Sequence, residues 1–107
     1  MHVETSEKDG HYVVAVSGEV DVHTAPDLRA ELNRLSSEGA ERVTVDLDQV
    51  EFIDSTGLSV LLGGHRKAEE EKRQFVVRTT SERTLKLLRI SGLLEKLTVE
   101  PRPNEAG

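Results

Sequence analysis

The sequence predicts an α/β domain built on a mixed, mostly parallel central sheet of about four to five strands, with an antiparallel amino-terminal edge and about three to four helices. Three observations support this. Strand-like runs flank an Asp9-Gly10 pair near the amino terminus. Helix-like and strand-like segments then alternate to residue 100. Gly, Ser, Thr and Asp stand at the junctions between them.

Residues 2 to 8 alternate weakly in polarity, and Asp9-Gly10 is a strong signal for a tight hairpin turn. "HYVVAVSGEV" follows, with Tyr12, Val14 and Val16 on one face and Val13 and Ala15 on the other. "HTAPDLRAELNRLSSEG" reads as a helix. Thr24 is the expected N-cap, Pro26 sits in the first turn, and Asp27 lies three residues after Thr24 as an acidic variant of the capping box. Leu28, Leu32 and Leu35 make one apolar stripe, and Gly39 is a natural stop.

"RVTVDL" at 42–47 is expected to be a short strand, followed by a separate small apolar patch of Val50, Phe52 and Ile53. A helix is expected from about residue 55 to 72, a strand at 75–79, and a third helix capped by Ser81 that carries Leu85, Leu87 and Leu88 and ends near Gly92. "KLTVE" is expected to be a final strand. The chain reads as a single domain over 1–100 with a tail at 101–107, and no repeat or linker interrupts it.

Composition narrows the function classes. The 107 residues carry a net charge of −6, with the basic residues scattered among acids, which argues against a phosphate-backbone or membrane-surface ligand. Tyr12, Phe52 and Phe75 are the only aromatics, too few for a base-stacking platform. No cysteine is present, so disulfides and thiolate metal sites are excluded. No run reaches bilayer-spanning length and no leader-like segment opens the chain, so a soluble cytoplasmic domain is expected.

The chemistry concentrates in "VEFIDSTGLSVLLGGH", residues 50–65, at the junction between a strand end and a helix start. In open α/β sheets ligands collect at that edge, and a helix start offers unpaired N–H groups and a partial positive charge. Asp54 or Ser55 can cap those groups, and a cap is the ordinary role of both residue types. Two hydroxyls beside a carboxylate exceed what a cap requires. Gly57 would let another surface approach, and the wide apolar band from Leu58 leaves Leu58 and Leu62 as expected docking residues beside Ser55.

Three segments, in order, resemble those of the anti-sigma factor antagonists (anti-anti-sigma factors), which are STAS-domain proteins. "VSGEVDVHTAPDL" at 16–28 is similar to their G-E-(L/V)-D segment and first helix. "VEFIDSTGLSVLLGGHRKA" at 50–68 is similar to their phosphorylation segment, and "RISGLLEKL" at 89–97 to their carboxy-terminal S-G-L. The similarity spans roughly residues 10 to 100.

The resemblance implies a STAS-type fold and a non-enzymatic binding module that uses no cofactor or metal. Its unphosphorylated form binds an anti-sigma factor that is a serine kinase of the GHKL type, freeing sigma. Phosphorylation switches binding off, and a phosphatase reverses it. Carried over by position, Ser55 is the acceptor, Thr56 the lesser candidate, and Asp21 a family acid near the acceptor that contributes to partner contact. With Asp54, and with the Gly57 and Leu58 that the helix start itself suggests, Asp21 makes up the expected partner-binding set. The carboxy terminus departs from relatives that carry a final helix.

Two other readings compete. A stand-alone STAS subunit of a membrane transporter complex would share the fold. A Mg²⁺-dependent phosphohydrolase would gather Asp21, Asp46, Asp48 and Asp54, although Asp46 and Asp48 read more simply as strand-end and turn residues. His2, His11, His23 and His65 are dispersed, and Asp21 with His23 is too slight for a metal site. No P-loop or G-x-S-x-G elbow is present.

Overall fold

The structure is a computed structural model that describes residues 1–100, so the tail at 101–107 lies outside the described residues. Its elements are, in chain order, β1 (His2–Lys8), β2 (His11–Val20), α1 (Ala25–Ser37), β3 (Arg42–Ile53), α2 (Ser55–Glu71), β4 (Gln74–Arg78), α3 (Glu82–Ile90) and β5 (Thr98–Glu100). The strands form one sheet in the order β1-β2-β3-β4-β5, antiparallel between β1 and β2 and parallel elsewhere. This is the expected class, with five strands and three helices among the described residues.

The opening hairpin turns on Asp9 and Gly10, both at positive φ (54° and 82°). That is the backbone a two-residue type I′ turn requires. The Gly10 N–H donates to the Glu7 carboxylate at 2.9 Å.

From β2 onward every strand is laid beside the previous one in the same direction. Right-handed crossovers therefore put all three helices on one face of the sheet. The core agrees: Val14, Val16, Val45 and Val77 from alternate strand positions join Leu28, Leu61 and Leu88, one from each helix, in a single cluster. Val76, on the opposite face of β4, is buried but lies outside that cluster.

Residues 42–53 form one strand of twelve residues, not a short strand and a separate patch. The cause is two register shifts against β2. Ala15 pairs with Asp46 but Ser17 pairs with Gln49, and Gly18 pairs with Val50 but Glu19 pairs with Phe52. Each shift inserts one extra residue into β3, and a bulge of this kind flips the inside–outside alternation. Asp46 and Asp48 accordingly lie within β3 rather than at its end or in a turn.

The amino terminus of α1 also differs from expectation. Thr24 occupies the N-cap position, but its side chain makes no cap bond to the helix. Its hydroxyl donates to the Glu19 carbonyl at 3.0 Å and accepts from the Asp21 N–H at 2.9 Å. The Asp27 N–H goes to the Thr24 carbonyl, so no capping box forms. At the other end α1 closes as expected: the Ala40 N–H reaches the Leu35 carbonyl and the Gly39 N–H the Ser36 carbonyl, the paired bonds of a Schellman motif.

Candidate functional site

Val20 and Ile53 pair in register at the carboxyl ends of β2 and β3, and the Asp54 N–H donates to the Val20 carbonyl at 3.1 Å. Asp21 and Asp54 are thus the next residues along two adjacent strands. The two acids that the sequence separates by 33 positions are brought together at one sheet edge.

Asp54 is the cap of α2. Its Oδ1 accepts from the Thr56 N–H at 2.9 Å and the Gly57 N–H at 3.1 Å, satisfying two of the orphan donors of the first turn. With the cap supplied by the carboxylate, Ser55 is left over. Its side chain is exposed, and among the described residues its hydroxyl makes no hydrogen bond. Its carbonyl accepts from the Ser59 hydroxyl at 2.9 Å, an ordinary interaction one turn on. Thr56 is half-buried. Of the two adjacent hydroxyls, that of Ser55 is the more reachable from solvent.

Asp21 binds its own loop in the same way. Its Oδ1 accepts from the His23 N–H at 2.9 Å and the Thr24 N–H at 3.1 Å. The His23 amide bond, followed by those to Thr24, holds its carboxyl below the usual carboxylate range. A further negative group placed nearby meets a carboxylate that stays ionised.

Two residues expected on the docking surface turn inward. A Cβ on Gly57 would stand 2.6 Å from Ile53 Cγ1 and 2.9 Å from Val20 Cγ1, so the close approach that glycine permits is made by the ends of β2 and β3, within the protein. Leu58 is only 8% exposed and belongs to the core cluster, because the first turn of α2 lies down on the sheet instead of standing off it. Leu62 is half-buried.

The exposed apolar side chains of this edge are instead Val22 (58% exposed), directly after Asp21, and Phe52 (51% exposed), two residues before Asp54. Sequence reasoning missed both. Val22 lies outside any periodic segment, and the phase of Phe52 is set by the second bulge in β3.

The dispersed acids do not assemble. The Asp48 carboxylate accepts from the Thr79 hydroxyl at 3.1 Å and the Thr80 N–H at 2.6 Å, and Asp46 accepts from the Asp48 N–H at 3.0 Å. The bonds of Asp48 to Thr79 and Thr80 tie β3 to the loop after β4, and that of Asp46 stays within β3. Among the described residues no group of three or more His, Asp or Glu is placed to hold a metal ion. No helix among them is long and apolar enough to cross a membrane.

The fold thus sets an Asp-capped helix start with an exposed serine at the carboxyl edge of its sheet. The STAS domain family model matches residues 2–106. The anti-sigma-B factor antagonist of Staphylococcus aureus is 31% identical over 99 residues, 92% of each chain. A crystal structure of an anti-sigma factor antagonist from Mycobacterium paratuberculosis superposes with a TM-score of 0.87 at 30% identity, covering 98% of this chain and 89% of that one. The Bacillus cell fate determinant SpoIIAA, solved in its phosphorylated form, shares the fold with a TM-score of 0.76 at 22% identity, covering 98% and 96%. The chain belongs to the STAS domain family and, within it, to the family of the anti-sigma factor antagonists.

Proposed function

We propose that this protein is a phosphorylation-gated antagonist of an anti-sigma factor. Unphosphorylated, it binds an anti-sigma factor that is itself a serine kinase of the GHKL type, and sigma is freed. Transfer of a phosphoryl group to Ser55 ends the complex, and a phosphatase that removes it from phospho-Ser55 restores binding. The protein is a binding module and phosphoacceptor, not an enzyme. The observation that carries this reading is the free, exposed Ser55 hydroxyl beside a cap made wholly by Asp54. That a protein of the same fold has been solved both unphosphorylated and phosphorylated supports it.

The switch follows from electrostatics. A phosphoserine carries about −1.5 to −2 charges at pH 7. At the start of α2 that charge is tolerated by the chain itself, because the helix dipole favours an anion there. In the complex it must be desolvated against a surface shaped for a hydroxyl, and it adds to the carboxylates of Asp54 and Asp21. A loss of about 2.7 kcal/mol weakens binding about a hundredfold. Asp21 and Asp54 frame the acceptor, and exposed Val22 and Phe52 supply the apolar contact that Leu58 does not.

Incubation with the cognate anti-sigma kinase and ATP adds one phosphate, read by intact-mass spectrometry, and Ser55→Ala accepts none. Ser55→Asp binds the kinase at least about tenfold more weakly than Ser55→Ala, a difference of about 1.4 kcal/mol by calorimetry. Full phosphate stoichiometry on Ser55→Ala refutes the acceptor assignment. Co-purification with a transporter ATPase in place of a kinase favours the transporter-subunit reading.

A further inference from the structure

We propose that the cleft between α1 and α2, on the halves of the helices away from Ser55, is a binding site for a medium-chain carboxylate. The cleft has a volume of about 230 Å³ and a floor of Leu32, Val43, Val60 and Phe75. Its walls run from Arg29 to Ser36 on α1 and from Val60 to Glu71 on α2, so it is a slot at least roughly 10 Å long at 1.5 Å rise per residue. At the ~30 Å³ that a water-sized group occupies, its volume corresponds to about seven or eight such groups.

The glycine pair in mid-α2 supplies the first argument. Each weakens a helix relative to Ala. Gly64 has a packing reason, since a Cβ there would stand 2.7 Å from the Phe75 ring. Gly63 has none: nothing lies within 4 Å of where its Cβ would be. It lines the slot, and what its missing side chain provides is an open mouth.

Charge supplies the second. Although the protein carries a net −6, the slot is bordered by Arg29, Lys67 and Arg73 against the single acid Glu71. Glu71 is already engaged by the Ser36 hydroxyl at 2.6 Å and by Arg73 at 3.2 Å, and Arg73 also donates to the Ala40 carbonyl. These bridges shut the end of the slot near the carboxyl termini of both helices. Toward the other end Arg29 has no hydrogen-bond or ion-pair partner among the described residues. Lys67, one turn before Glu71, reaches the Asn33 amide oxygen across the slot at 3.4 Å, and it adds to the Ser36 hydroxyl and Arg73 in holding the Glu71 carboxyl below its ordinary range. A slot bridged at one end, apolar within, bordered by Lys67 along its wall and by an unpartnered Arg29 toward its open end does not fit a partner helix, which needs a groove open at both ends. It fits an unbranched apolar tail with one anionic head.

The test is an amide-resolved NMR titration of the full chain with sodium octanoate. Saturable shifts at Gly63, Gly64 and Phe75 with Kd below about 1 mM are expected. Octan-1-ol, lacking the charge, binds at least about tenfold more weakly, as does octanoate to the Arg29→Gln/Lys67→Gln double variant. Gly63→Leu loses the saturable shifts yet melts no lower than the parent, because it removes a helix-weakening glycine into open space. Ser55→Ala binds octanoate like the parent, so this outcome is independent of the phosphorylation switch. Absence of saturation, or octanoate binding unchanged in a folded Gly63→Leu variant, overturns the proposal.

Discussion

The two loops that lead from β2 into α1 and from β3 into α2 use the same device with opposite results. In "DVHT" and in "DSTG" the Asp carboxylate accepts from the backbone N–H groups two and three residues on. The residue directly after the Asp is exposed in both, Val22 in one and Ser55 in the other. The fourth position differs. Thr24 ties its hydroxyl to Glu19 and Asp21, locking the first loop from within, while Gly57 lets the second loop collapse onto Val20 and Ile53. One loop is held by side-chain hydrogen bonds and shows an apolar residue to solvent. The other is held by its Asp cap and by close backbone approach, and shows a hydroxyl. An Asp cap alone therefore does not distinguish the two loops; the residue it leaves exposed does.

This contrast can be broken most severely at Gly57. Gly57→Val inserts carbon where Ile53 and Val20 already stand, and overpacking of this kind costs about 1–3 kcal/mol, read as a lower urea midpoint. Thr24 shows that a side chain is tolerated at the matching position of the other loop. Next come the caps. Asp54→Ala removes both N–H partners of the α2 start and costs about 0.5–2 kcal/mol. Asp21→Ala costs less, because the Thr24 hydroxyl still holds Glu19 and the Asp21 carbonyl still accepts from Ala25 at 2.7 Å. Equal losses in the two variants would erase the distinction between the loops.

Beyond their first turns the two helices are again secured differently. On α1, Glu31 takes a bidentate interaction from Arg34 and a hydrogen bond from the Thr5 hydroxyl on β1, which draw its carboxyl from 4.5 down to about 2. The folded value lies below the unfolded one, so this contribution is complete above about pH 4.5 and fades as the pH falls toward 2. Glu31→Gln should cost on the order of 1 kcal/mol at pH 7, and its difference from the parent should shrink through that acid window in chemical denaturation.

The smallest effect concerns the helix ends. Gly39 takes the left-handed position after α1, whereas Lys72 takes it after α2 at φ 58°. Lys72→Gly should raise stability by up to about 1 kcal/mol, visible as a higher melting midpoint.

Much of the fold was legible in the sequence because its signals are local. Asp9-Gly10 specified its turn, Leu28, Leu32 and Leu35 their stripe, and Ser81 its cap, whose hydroxyl accepts from the Thr84 N–H at 3.3 Å. The capping role of Thr24 was misread because its hydroxyl is claimed by Glu19, on the preceding strand. The long strand β3 was read as two pieces because bulges against β2 break the alternation on which strand recognition depends.

By itself the sequence determined the order of most elements and the place where Asp54, Ser55 and Thr56 meet a helix start, since each depends on neighbours within a few residues. Only the tertiary structure decided which of those groups face solvent. Pairing β2 with β3 brought Asp21 beside Asp54, turned Gly57 and Leu58 inward, and left Ser55, Val22 and Phe52 outside. Exposure is a property of what packs against a residue from far along the chain, and no local pattern carries it.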